Sequence, residues 1–405
     1  MKNKGNKFTL STWMKSLIPG IIIAAVVFGP SKMTITSKLG ATYGYSLVWI
    51  VPIAIFFMAI FTGMGSRIGM HNVQSLIQLI RNKFGRWAVL CVGIGIFSVA
   101  ASFQAGNAIG VGISLAEPTK TSPQLWIILF TIMGISLLFF SSFYRVLERL
   151  MLFLVLLMFL SFTITLILAK PNLELLAAGA IPSLPTGSEG LIIAFMASCF
   201  SIVGAFYQSY LVQERKKTRA TEAYQDKSLV GIIMLGVMSM IVMICSASIL
   251  HPKQIQLISA MDMANVLQPL FGGYASGVFL TGLFAASFSS LVGNATVGGS
   301  LLADALGLKR GMDSLGSRIC IALVMLIGAT VAVLFGGLPL QLIILAQSIT
   351  IFLVPFIGYM MFSIANDGSI MKGNKNSKFQ KISGAIGLLF LTGLAVYNFY
   401  NMFIK

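Results

Sequence analysis

The chain has 405 residues, 57% of them hydrophobic and 10% charged, with a mean hydropathy of +0.91 and a formal net charge of +17. That composition lies far from the soluble average and excludes an ordinary water-soluble protein. The apolar residues fall in long runs close to the roughly 20 residues that a membrane-crossing helix needs, and not in alternating strands of about ten, so the fold class is an all-α membrane protein rather than a barrel.

Taken in chain order, apolar runs bounded by charges and turn residues predict eleven transmembrane helices. Spans 1 to 5 cover residues 16 to 42, 45 to 66, 87 to 114, 123 to 143 and 147 to 169. Spans 6 to 11 cover 189 to 212, 228 to 250, 275 to 303, 316 to 336, 339 to 365 and 381 to 403. A basic tail, residues 1 to 12, precedes them without a small-residue cleavage site, so the first span is read as retained rather than as a signal peptide. Residues 72 to 84 have helical apolar spacing with polar interruptions and are expected at the membrane surface. The four cysteines, Cys91, Cys199, Cys245 and Cys320, sit singly inside apolar spans, where a small hydrophobe is a better reading than a disulfide or a metal cluster.

Charge tests the drawing, because Lys and Arg concentrate in cytoplasmic loops. With the N-terminus inside, inner loops hold 22 of the 28 basic residues and outer segments hold five: Lys38, Lys120, Lys170, Lys253 and Lys405. The expected orientation is therefore a cytoplasmic N-terminus and an outer C-terminus in a plasma membrane. The positive balance reads as orientation against the lipid bilayer and not as nucleic-acid binding.

Lys32 is left over. It follows the break Phe28-Gly29-Pro30-Ser31 in span 1, and an ionisable group at that depth needs a partner or a water-filled cavity. A second break, Ser201-Ile202-Val203-Gly204, interrupts span 6, five spans later. Interrupted helices at matching positions of two five-span halves point to an inverted-repeat transporter with a midplane site, although Gly204 alone would fit helix packing better than a functional break. The halves would be residues 13 to 170 and 185 to 365, with 381 to 403 an added helix.

In and after span 1 the chain reads Gly29-Pro30-Ser31-Lys32, Leu39-Gly40-Ala41 and Gly44-Tyr45-Ser46-Leu47-Val48-Trp49. Span 6 ends in Ser209-Tyr210-Leu211-Val212-Gln213, Glu148 opens span 5, Phe284-Ala285-Ala286-Ser287-Phe288-Ser289-Ser290 lies in span 8, and Gln347 with Pro355 in span 10. With these segments nearly the whole chain resembles the natural resistance-associated macrophage protein family, proton-coupled divalent metal transporters with a LeuT-like fold. The resemblance implies a 5+5 inverted repeat working by alternating access around broken spans 1 and 6.

The departures fall where that family binds metal. Gly29 stands at the family's aspartate and Lys32 at its asparagine; Ser201-Ile202-Val203-Gly204 replaces its Met-Pro-His-Asn stretch; Gln104 and Asn107 replace its two acids in span 3. A first-row dication takes carboxylate, amide carbonyl and thioether ligands, and an added ammonium repels it. Hence the expected substrate is a small carboxylate or amino-acid-like solute paired with Lys32. The alternative is a divalent ion, magnesium among them, held by backbone carbonyls, Ser31, Ser201, Gln104 and Gln347.

The expected substrate-binding set is Gly29, Ser31, Lys32, Ser201, Gly204, Gln104, Asn107 and Gln347, with no metal or cofactor resident. The coupling ion would be a proton carried by Lys32, which desolvation predisposes to titrate, or sodium at Ser287, Ser289 and Ser290, where LeuT-like transporters often hold it. Lys32 could instead cap carbonyls of the broken helix or snorkel outward, and the serines could simply pack. Tyr207 and Gln208 could line the site or pack in the core. Both histidines lie near span ends and no acid lies mid-span, which argues against an intramembrane hydrolase, and no repeat suggests a channel filter.

Overall fold

Inside a bilayer no water satisfies backbone groups, so each apolar run must close its own hydrogen bonds as a helix. The computed structural model describes residues 27–139, 143–218, 228–255, 273–308, 314–335 and 340–404, and among them every regular element is helical. The first half of span 1 lies outside the described residues.

The second half of span 1 is α1 (Pro30–Tyr43) and span 2 is α2 (Ile50–His71). Helix α3 (Leu76–Thr119) joins the surface helix to span 3 across a kink at Gly85, whose φ of 83° breaks the helix that the sequence already divided there. Ser75 starts it, its hydroxyl accepting from Gln78 N at 3.2 Å. Spans 4 and 5 are α4 (Pro123–Leu137) and α5 (Phe143–Ala169), followed by a short α6 (Leu173–Ala178). Span 6 is two helices, α7 (Glu189–Phe200) and α8 (Ile202–Thr218), and span 7 is α9 (Ser228–Ile249). Spans 8 to 10 are α10 (Gly273–Ala305), α11 (Leu315–Phe335) and α12 (Leu340–Asn366). The one-turn α13 (Gly368–Met371) leads to span 11, α14 (Lys378–Phe403), which opens with a Ser377–Gln380 capping box.

Length and hydropathy alone qualify seven described segments to cross a membrane, and three apolar helices are shorter. Their burial orders them from the centre outward. Span 6 has 89% of its apolar window buried in protein, whereas α14 has 28%, so the broken span is the axis and span 11 lies at the periphery. Large apolar side chains on outer helices, such as Leu334 and Leu389, face outward as a lipid-contacting surface would require.

Around that axis α1 packs on α9 and α7, α3 runs along α10, and α2 runs along α8. The last pair touch through bare backbone. A Cβ on Gly65 would lie 2.0 Å from Ala205 O, and one on Gly69 would lie 2.4 Å from Ser209 O. Only glycine fits such an approach.

The two ends of the bundle differ in charge. At the basic end Lys83 pairs with Asp367 at 2.6 Å, and Arg67 donates to Gln380 Oε1 and Asn376 Oδ1. There Lys216 donates to Met70 O at 2.7 Å, Gln213 bridges to Asn72 O and Gln74 O, and Tyr210 donates to Asp304 Oδ2 at 2.6 Å. The Lys83 ammonium, helped by the Ser369 hydroxyl, holds the Asp367 carboxyl well below the usual carboxylate range. At the opposite end Trp49 Nε1 donates to Ser183 O at 3.1 Å, tying the α1–α2 turn to the segment before α7.

Candidate functional site

Two helix interruptions meet at the middle of the bundle. Gly29 precedes α1 in extended conformation (φ −97°, ψ 177°), and Pro30 in the first turn needs no hydrogen-bond acceptor. In span 6 the break is Ser201, in the left-handed region at φ 39° and ψ 50°, between the end of α7 and the start of α8. A non-glycine residue there is strained, and its hydroxyl lies 2.6 Å from where a Cβ on Gly204 would sit. The first-turn N–H groups of α1 and α8 have no intrahelical acceptors and carry the positive ends of their helix dipoles.

Between the breaks lies a cavity of about 70 Å³. Gly29, Ser31 and Lys32 line it from span 1; Ser198, Ser201 and Gly204 from span 6; Asn107 from α3; Asn294 from α10; Thr350 from α12. Neither an aspartate nor a glutamate lines it, and no cluster of three or more His, Cys, Asp or Glu occurs among the described residues.

Lys32 is 2% exposed, and its Nζ is sealed from water with no hydrogen bond to any described residue. The group it faces is the Cys199 thiol of α7, itself fully buried. Thr36 Oγ1 donates to Lys32 O at 2.7 Å, a back-bond within α1 in which the ammonium takes no part. The ammonium therefore neither snorkels outward nor caps carbonyls.

Six of the eight residues expected at the substrate site line the cavity: Gly29, Ser31, Lys32, Ser201, Gly204 and Asn107. Gln104 does not. It is fully buried one turn away, its Nε2 donating to Leu291 O at 2.7 Å while Asn107 Nδ2 approaches its Oε1 at 3.4 Å, so it braces α3 against α10 and supports Asn107. The side chain of Gln347, like that of Glu148, lies outside the described residues.

Of the serines expected to hold a coupling ion, Ser287 and Ser290 stand at the contact between span 1 and α10. Ser290 Oγ is 2.9 Å from a Cβ built on Gly29, and Ser287 Oγ sits beside Pro30 against Gly110. Ser287 also donates to Leu283 O at 2.6 Å and Ser289 to Ala286 O at 3.0 Å, and none of the three lines the cavity. Tyr207 and Gln208 are buried away from it, Tyr207 stacking on Tyr210, as the packing alternative predicted. Asn294, Thr350 and Ser198 were missed. Asn294 was findable, because it follows Ser290 by four residues and so shares its helix face.

The interruption before α1 and the broken sixth span, packed around a shared central cavity in a bundle whose described elements are all helical, define a membrane transporter of the LeuT fold. The sequence profile described as natural resistance-associated macrophage protein-like matches residues 20–401, and the chain belongs to that family. Among curated relatives, the divalent metal cation transporter MntH of Deinococcus radiodurans is 24% identical over 368 residues, covering 86% of this chain and 81% of that protein. The protein of the same name from Pectobacterium carotovorum is 25% identical over 386 residues, covering 94% and 92%. The fold matches the Eremococcus coleocola manganese transporter in complex with an aromatic bis-isothiourea compound, with a TM-score of 0.78 at 18% identity over 99% of this chain and 89% of that one. A sodium-coupled sialic acid symporter in its substrate-bound outward-open state matches with a TM-score of 0.62 at 11% identity, covering 95% and 89%.

Proposed function

We propose that the protein is a secondary transporter that moves a small carboxylate-bearing solute by alternating access around the two breaks. The supporting observation is Lys32: a buried ammonium in the wall of the cavity, without a hydrogen bond to any described residue, where no acid among the described residues lines the space. A carboxylate would satisfy that charge, and the N-terminal ends of α1 and α8 would add to the attraction. Ser31, Ser201, Asn107 and Asn294 would hydrogen-bond the rest of the solute. Because the ammonium is sealed toward Cys199 in this conformation, binding requires a side-chain rotation that brings Nζ into the cavity.

The repeats would be residues 13 to 170 and 185 to 365, with the basic end of the bundle cytoplasmic and the membrane the plasma membrane. Coupling would run through a proton on Lys32 or a cation at the span 1–α10 contact beside Ser287 and Ser290.

A divalent cation is the second reading, favoured by the names of the curated relatives. It would rely on Ser31, Asn107, Ser201 and freed carbonyls, oxygen donors that suit a hard ion keeping part of its water. Thermal stabilisation of the purified protein by magnesium, manganese and a panel of small carboxylates separates the two, because a ligand for the folded state raises its apparent stability. Carboxylate stabilisation that vanishes in Lys32→Ala supports the first reading. Metal stabilisation that persists or grows in that variant overturns it.

A further inference from the structure

We propose a second ligand site, independent of the central cavity, for a small organic carboxylate at the end of the bundle opposite the basic one. There a cavity of about 710 Å³ opens between the end of α1, the loop around α6 and the end of α9. That volume falls in the range of roughly 300 to 1,000 Å³ typical of small-molecule sites. Among the described residues it shares no lining residue with the central cavity.

Its walls are built from polar groups already held in place. The Tyr45 and Ser248 hydroxyls hydrogen-bond at 2.8 Å, and Asn172 N donates to the Tyr45 oxygen at 3.3 Å. His251 is anchored with Nδ1 3.1 Å from Ala41 O. With the Nδ1 hydrogen donated to that carbonyl, Nε2 is the ring nitrogen left for another partner, and it lies against Gly44, where a Cβ would come within 3.1 Å of it. Gly44 itself lines the cavity at φ 59°, so a side chain at this position would be strained and would cover the imidazole.

The charge of the lining is one-sided. Lys170 is an exposed ammonium on the wall, and among the described residues no aspartate or glutamate lines the space. Glu174 on α6 and Glu189, whose charge acts on Tyr43, belong to neighbouring elements without lining it. A carboxylate would take a charge-assisted hydrogen bond from Lys170 and a second from the Asn172 side-chain NH2, with Tyr43 for its apolar body, while the Tyr45 and Ser248 hydroxyls, which donate in turn to Ser248 Oγ and to Ile244 O, hold the wall in place.

The test uses the full chain in detergent with succinate as the probe, its binding read by saturation-transfer NMR in wild type, Lys170→Ala, Lys170→Arg and Lys32→Ala. Lys170 is exposed, so its replacement leaves the core untouched. Loss of a charge-assisted hydrogen bond should weaken binding about tenfold or more in Lys170→Ala. Lys170→Arg should retain most of the affinity, and Lys32→Ala should bind as wild type does. The proposal is overturned if wild type fails to bind succinate, if Lys170→Ala binds it undiminished, or if Lys32→Ala alone removes binding, which would put succinate in the central cavity.

Discussion

The centre of the bundle and its basic end treat positive charge in opposite ways. At the end, where water is at hand, Lys83 has Asp367, Lys216 has Met70 O, and Arg67 has two amide oxygens. At the centre, where water is excluded and an unpaired ion is most costly, Lys32 has no hydrogen bond to a described residue, and the backbone beside it bends through a left-handed serine. Exposed pairs contribute little to stability. A buried amine that faces only a thiol and makes no hydrogen bond to a described residue marks a place where chemistry outside the chain is expected to complete the structure.

The strongest way to break this contrast is to supply the missing partner from within. Gly29→Asp would bring a carboxylate beside Lys32, with Asn107 Oδ1 and Ser290 Oγ, at 2.8 and 2.9 Å from the new Cβ, rotating aside. An internal ion pair should weaken stabilisation by carboxylates about tenfold or more in the thermal assay. A gain of manganese binding instead would show that the scaffold still holds the metal geometry of its relatives.

Next in size is removal of the charge. Lys32→Met keeps length and apolar contact and ends the burial of an unsatisfied donor, so the protein without ligand should become more stable by about 1–3 kcal/mol in chemical denaturation. Transport in proteoliposomes should fall at the same time. A variant less stable than wild type would mean that the ammonium has a partner in the resting state.

Backbone strain comes third. Ser201→Gly should stabilise the protein by about 1 kcal/mol, because glycine adopts the left-handed region freely, and Ser201→Val should destabilise it by about 1–2 kcal/mol. Equal stability of both variants would show that the break adapts.

The smallest effect belongs to the basic end. Asp367 has its folded-state pKa lowered by Lys83, so its contribution is present above the unfolded value of about 4 and is lost as pH falls through the folded one. Asp367→Asn should flatten the pH dependence of melting below about pH 4 and leave stability nearly unchanged as a function of salt.

Much of this was legible in the residues. Hydropathy and Lys/Arg placement located the spans, because bilayer thickness sets helix length, and Gly29-Pro30 announced its break through backbone chemistry. Ser201 was visible only by its distance of five spans, since nothing in a serine forecasts a positive φ. Gln104 misled because an amide at helical spacing from Asn107 serves equally as wall or as brace, and only the position of Leu291 O on α10 decides between them. Thr350 and Ser198 carried no signal, as hydroxyl residues on apolar helices commonly bond their own backbone.

The glycine contact between α2 and α8 has a mechanical consequence. Where Gly65 and Gly69 rest on the carbonyls of Ala205 and Ser209, no compliant side chain separates the two rods, and sliding one past the other would drive backbone into backbone. They form a single lever. Any stroke that tilts α8 must haul α2 with it, and the slack for that movement has to come from joints elsewhere, at Ser201 and at the turn after His71.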